Sequence, residues 1–297
     1  MVTTPPGGRR TAGPVSIEII VPAHNEARRL PAGLAALCRK AAQLPLPVGI
    51  LVVDSASTDG TADVVRDWPE GPVPVRLLRS DQPGKGRAVR LGLLATRAPF
   101  VGFCDADMAT DLSALDVTIG LLTAGQPLVI GSRAVDGSVV EVRHSAVRRL
   151  GAAAFRALAR QVLPDATDTQ CGFKFFSGPL ARAAALPLRT GGFAFDIELI
   201  AICQRLGAPP TEIPVSWRDV PGSTFSVSQH SAATLREVAS IWLHYRPGRA
   251  RPAGLPAPLT PGLAAEPFGP ATVIVLPFTP PALLASSAAL PAAVTTA

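Results

Sequence analysis

Asp105 and Asp107 stand one residue apart after the apolar run from Ala98 to Cys104, and they are the side chains best placed to do chemistry. An apolar run that ends in acid reads as a buried strand, and in open α/β sheets ligands bind beyond the carboxyl ends of the strands. Side chains at i and i+2 share a face while the strand stays extended. Two such carboxylates repel, which invites a divalent cation. Mg²⁺ and Mn²⁺ favour oxygen ligands and bridge carboxylates to phosphates, so one of these ions is the expected cofactor. The same residues would also serve as a solvated acidic turn, and their surroundings must decide.

Other polar groups fall at corresponding places. Ile17-Glu18-Ile19-Ile20-Val21 is a strand stopped at Pro22, followed by Ala23-His24-Asn25-Glu26. Leu30, Leu34 and Leu37 then keep helical spacing between Ala27 and Ala42. Ile50 to Val53 is a second strand ending at Asp54, with turn and cap residues before a short helix. Val73 to Leu78 makes a third strand, and Gly84-Lys85-Gly86 opens a helix to about Ala95. Repeated β-then-α units call for a mostly parallel sheet with helices on both faces. Asn25, Glu26, Asp54, Asp105 and Asp107 should then gather along one rim beside Lys85, an arrangement suited to a ribose, a diphosphate and a metal. No G-x-G-x-x-G follows the first strand, and Gly84-Lys85-Gly86 lacks the length and hydroxyl of a Walker A loop.

Farther on, Leu112 to Leu122 is expected to be helical, and Leu128-Val129-Ile130 to be a strand leading into Gly131-Ser132-Arg133. A helix from Ser145 to Val162 places Arg149, Arg156 and Arg160 near one face. Asp168 to Phe176 reads as a turn into a strand, and Phe193 to Ile200 as a helix start. Glu212 to Trp217 is a further strand, and Ala232 to Tyr245 a last helix. The expected organisation is a flexible stretch over 1–14, one domain over 15–245 and a Pro/Ala-rich, disordered tail over 246–297. The apolar segment Ala271 to Leu290 is long enough to span a membrane, but Pro277, Pro280 and Pro281 would break its helix.

The net charge of +6 comes almost wholly from arginine, since Lys40, Lys85 and Lys174 are the only lysines among 297 residues. Arginine suits phosphate groups. Aromatic residues make up only 5% and do not interleave with basic ones, which argues against nucleic acid as a partner. Cys38, Cys104, Cys171 and Cys203 form no C-x-x-C pair, as expected in a reducing compartment. Met1 to Gly13 has no apolar core of a secretory signal. A cytoplasmic protein, peripheral at the inner face of a membrane, is the expectation.

With these motifs in place, the sequence resembles the family-two inverting glycosyltransferases of GT-A (Rossmann-like) fold. More narrowly it resembles the dolichyl-phosphate β-glucosyltransferases and their bacterial polyprenyl-phosphate relatives. The resemblance runs from about Ile17 to Trp242. It is carried by Ile20-Val21-Pro22-Ala23-His24-Asn25-Glu26, by Val53 to Thr61, by Gly84-Lys85-Gly86 and by Asp105-Ala106-Asp107. Gly131-Ser132-Arg133, Asp168-Thr169-Gln170-Cys171-Gly172-Phe173-Lys174 and Phe195-Asp196-Ile197-Glu198-Leu199 narrow it. Ser55 departs from a frequent aspartate, and the membrane helix of the eukaryotic enzymes has no counterpart at the N-terminus. The resemblance implies that Pro22, Ala23, Asn25, Glu26, Asp54, Lys85 and Asp105 hold the nucleotide sugar. Asp107, with Asp105, would bind the metal, while Arg133, Arg143, Arg148, Asp168 and Lys174 would meet the acceptor phosphate. A nucleotide sugar such as UDP-glucose, a polyprenyl phosphate and a membrane surface are the implied partners.

Sugar transfer needs stabilisation of the departing diphosphate, which a metal and Lys85 would supply. Lys85 opens a helix, where a cation opposes the macrodipole, so an anion is expected beside it. A hydroxyl acceptor needs a base. A phosphate monoester, with its second pKa of about 6, does not. Asp196 stays open between a base, an orienter of an arginine and a helix N-cap. A nucleotidyltransferase and a non-catalytic sugar-nucleotide-binding protein are the competing functions.

Overall fold

The structure is a computed structural model that describes residues 15–141, 155–220, 227–246, 248 and 255–257. The expected strand-helix alternation is present as β1 (Ile17–Ala23), α1 (Leu30–Ala41), β2 (Val48–Ser55), α2 (Thr61–Arg66), β3 (Val75–Ser80), α3 (Lys85–Ala95), β4 (Phe100–Cys104) and α4 (Ala114–Thr123). There follow β5 (Leu128–Ser132), β6 (Val139–Glu141), β7 (Phe173–Ser177), α5 (Gly178–Ala185), α6 (Phe195–Arg205), β8 (Thr211–Pro214), β9 (Ser216–Arg218) and α7 (Val227–Tyr245). Residues 155–160 are also helical.

Seven strands form one sheet in the order β3-β2-β1-β4-β7-β5-β8. Pairing is parallel among β3, β2, β1 and β4, and again between β5 and β8, while β7 runs antiparallel to both its neighbours. Alternation along each strand feeds two cores. Ile20, Leu51, Val53 and Phe103 face one layer with residues of α3, α5, α6 and α7. Ile19, Val21, Ile50 and Val52 face the other with residues of α1, α2 and α4. Phe103, Phe173, Phe175 and Phe176 are fully buried, and burying a side chain of this size contributes about 1.5–3 kcal/mol.

Several elements differ from the sequence expectation. The segment Glu212 to Trp217 is two short strands in different sheets. β8 ends at Pro214, the Val215 N–H reaches the Ser132 carbonyl at 3.2 Å, and β9 then pairs with β6 in a second sheet. Neither β6 nor α5 was expected. Of the helix expected from Ser145 to Val162, residues 145–154 lie outside the described residues, and so do almost all of the expected tail and the first fourteen residues. Leu255, beyond the expected end of the domain, packs against the α3–α7 layer.

Gly84 stands at the entry to α3 with φ +136°, and a Cβ there would lie 2.4 Å from the Gly191 carbonyl oxygen. Only glycine accepts both the angle and the contact. This seats the start of α3, and with it Lys85, against the 190–191 loop, whose Gly191 oxygen accepts the Gly86 N–H at 3.0 Å.

Candidate active site

The carboxyl ends of β1, β2 and β4 carry the expected acids. β4 stops at Cys104, so Asp105 and Asp107 sit in the turn after it rather than on an extended strand. They still act on one another: burial, then the charge of Asp105, raises the pKa of Asp107 above the ordinary carboxylate value. Glu26 joins them. Its pKa is also raised, first by burial and then by Asp107 and Asp105, against the lowering effect of Arg29. Arg29 holds Glu26 through two hydrogen bonds of 2.8 and 2.5 Å.

Two of these three acids have a cation. Lys85 Nζ lies 2.5 Å from Asp105 Oδ1, so the anion expected beside the helix-opening lysine is the protein's own. Asp107 Oδ1 accepts the Ala109 N–H at 3.2 Å, and no cationic side chain among the described residues is within ion-pair distance of it. The acidic cluster therefore keeps one carboxylate open to an added cation. Among the described residues no group of three or more His, Cys, Asp or Glu side chains could hold a metal alone. A site of one or two carboxylates completed by phosphate oxygens is the usual setting for Mg²⁺, and Asp107 with Asp105 fits that donor set.

The other rim residues are fixed by short local bonds. Pro22 and Ala23 are buried at the end of β1. Asn25 adopts φ +55° while its Oδ1 accepts the Thr58 N–H at 2.9 Å, and the Glu26 N–H donates to Thr61 Oγ1 at 2.8 Å. Asp54 is fully buried and takes the Ser57 N–H and Arg79 Nε, each at 3.1 Å.

Beneath Lys85 lies a second charged pair. Lys174 Nζ donates to Asp196 Oδ1 and to the Cys171 carbonyl, both at 2.6 Å. Burial raises the pKa of Asp196, with Lys174 and Lys85 opposing the rise. Asp105 and Asp196 in turn outweigh the desolvation of Lys85 and raise its pKa. Asp196 is no N-cap, since Ala194 occupies that position and its helix has no side-chain cap bond. Lys174 is fully buried, so it supports Asp196 instead of facing an acceptor.

On the other side of the turn, Arg133 leaves β5 and grips Asp168 through Nε at 2.7 Å and Nη2 at 2.9 Å, while its own N–H donates to the same carboxylate at 3.0 Å. Although burial alone would raise it, these bonds lower the pKa of Asp168. The Arg133 guanidinium also lies over the Trp217 ring at 5.5 Å, and, against burial, Asp168 and, more weakly, Asp105 raise its pKa. Arg143 and Arg148 lie outside the described residues. The structure thus brings Glu26, Lys85, Asp105 and Asp107 together, with the Arg133–Asp168 pair beside them. Sequence reasoning missed Arg29 and Arg79. The i, i+3 spacing of Glu26 and Arg29 was a usable signal, whereas the Asp54–Arg79 pairing depends on the β2–β3 register.

A family model described as "Glycosyl transferase family 2" matches residues 18–179. The dolichyl-phosphate beta-glucosyltransferase of Drosophila melanogaster is 33% identical, over 81% of this chain and 78% of its own. The human protein of the same name is 31% identical, over 70% and 68%. Among solved structures, glucosyl-3-phosphoglycerate synthase of Mycobacterium tuberculosis, in complex with Mn²⁺, uridine diphosphate and glucosyl-3-phosphoglycerate, aligns with a TM-score of 0.55 at 22% identity. That alignment covers 81% of this chain and 82% of the synthase, and it shares the GT-A fold. The mostly parallel sheet, the acidic turn after β4 and these likenesses agree: the chain belongs to glycosyltransferase family 2 and is a glycosyltransferase.

Proposed function

We propose that this enzyme transfers a hexose, glucose from UDP-glucose, to a polyprenyl or dolichyl phosphate with inversion at the anomeric carbon, using Mg²⁺ or Mn²⁺. The observation that carries the reading is the acidic turn, where Asp105 is paired to Lys85 while Asp107 is left open to a cation. The names of the fly and human relatives support the acceptor. The Mn²⁺ and uridine diphosphate bound by the mycobacterial synthase support the donor and metal.

Asp107, with Asp105, would hold the ion, which when bound supplies positive charge to the diphosphate. Glu26, Asp54 and the bonded 54–61 turn hold the nucleoside end. Asp105 and Asp196 outweigh the burial of Lys85 and raise its pKa, and its charge would offset the negative charge that grows on the leaving diphosphate. Arg133, fixed by Asp168, pairs with the acceptor phosphate and aims one oxygen at the anomeric carbon; from the sequence, Arg143 and Arg148 are assigned to the same phosphate. That oxygen bonds to the carbon as the bond to the diphosphate breaks on the opposite face. A phosphate dianion has no proton to give up, in keeping with an Asp196 carboxylate that is 2% exposed and bonded to Lys174. Among the described residues no helix is long and apolar enough to cross a membrane. Contact with the lipid acceptor is assigned to peripheral attachment at the inner membrane face.

Incubation with UDP-glucose and polyprenyl phosphate should release UDP and form a glucosyl phospholipid, and both should stop in EDTA. Formation of product only with soluble hydroxyl acceptors would overturn the acceptor assignment.

A further inference from the structure

Gln170 carries a buried amide nitrogen with no hydrogen-bond partner among the described residues. Its position is fixed from both sides. The Gln170 N–H donates to Asp168 Oδ1 at 3.1 Å, the carboxylate that also grips Arg133. Two residues later, the Gly172 carbonyl accepts the Asp105 N–H at 3.1 Å. A Cβ on Gly172 would stand 1.9 Å from Asp105 Oδ2. The segment 168–172 therefore runs from the arginine side of the site to the acidic turn, with Gln170 at its midpoint.

A buried donor without an acceptor is rare and is penalised by lost hydration. Under the proposed function, on which this inference rests, the same interval must hold the transferred sugar. Its anomeric carbon lies between the entering phosphate and the departing diphosphate. An amide nitrogen offers two neutral donors. These match the hydroxyl oxygens of an uncharged sugar, whereas phosphate is better met by arginine. We propose that Gln170 Nε2 donates to a hydroxyl of the donor's hexose and so reads which sugar the nucleotide carries. A site built to bond a hydroxyl discriminates strongly against analogues that lack it, because its own buried group is then left unpaired.

The test compares wild type with Gln170→Met, which keeps the length and removes both donors, and with Gln170→Ala. Calorimetric affinities for UDP and UDP-glucose, without acceptor, give the sugar's own contribution to binding. In both variants that contribution should fall by about tenfold, the scale of one lost hydrogen bond, and preference over UDP-galactose should shrink. Affinity for UDP should stay within about twofold, since the segment's backbone bonds are retained. The melting temperature of Gln170→Met should equal or exceed that of wild type, because an unpaired buried donor has gone. An unchanged sugar contribution overturns the inference. So does a lower melting temperature with discrimination retained, the mark of an amide satisfied by internal water, and so does a loss confined to polyprenyl phosphate. If wild type itself binds neither UDP nor UDP-glucose, the proposed function fails first and the inference falls with it.

Discussion

Lys174 Nζ stands 2.6 Å from Asp196 Oδ1, and neither side chain is more than 3% exposed. Removing one partner of such a pair leaves a buried charge uncompensated and costs about 3–5 kcal/mol. Asp196→Asn should therefore lower the urea midpoint. Measured on the folded fraction, transfer should fall by about tenfold or less, below what loss of a general base produces. A fall of roughly 10²–10⁴-fold would make Asp196 a base and favour a hydroxyl acceptor.

Asp107→Asn removes a carboxylate whose pKa is raised by burial and by Asp105. Folding should survive, with a melting temperature equal to or above that of wild type. Transfer should be abolished, and any rise in melting temperature on adding Mn²⁺ should disappear, since ligand stabilisation scales with binding. Near-normal turnover in Mn²⁺ would sink the metal assignment.

Arg133→Lys keeps the charge but loses the two-pronged grip on Asp168. The acceptor KM should rise and kcat should fall, while UDP affinity holds. Kinetics with varied polyprenyl phosphate at saturating donor would separate these effects.

The bonds from Arg133 hold the Asp168 pKa below its ordinary 3.8. For a carboxyl depressed on folding, the stabilisation is fully present above the unfolded pKa. It drains away as pH falls through the lower folded value. Acid titration followed by circular dichroism should show Asp168→Asn and wild type converging in stability below about pH 4. Their difference should be largest near neutrality. A constant difference down to pH 2 would refute the pairing as its source.

Arg156 and Arg160 are exposed on the described part of the 155–160 helix, next to the partly exposed Leu158. Flotation with anionic vesicles should show binding at low salt that weakens as salt rises. Replacing both arginines with glutamate should reduce it, and unaltered flotation would remove this face from the membrane contact.

The acidic rim was legible because each strand announces itself as an apolar run and ends in a polar residue. The order Glu26, Asp54, Lys85, Asp105 could be read directly along the chain. What lay hidden depended on register and reversal. Lys174 reads as a phosphate ligand in one dimension. The antiparallel insertion of β7 instead points it, opposite Phe103 in the β4 ladder, into the layer where Asp196 lies. The split between β8 and β9 was equally invisible, because it turns on which neighbour each half finds across space.

The reversed strand β7 has a mechanical consequence. It is the one strand through which the β1–β4 half of the large sheet is laced to the β5–β8 half, by ladders on both of its edges. Spreading the halves apart would tear one of those ladders, with its fully buried Phe173, Phe175 and Phe176. The backbone amides of β7 should therefore be among the last in the protein to exchange with deuterium.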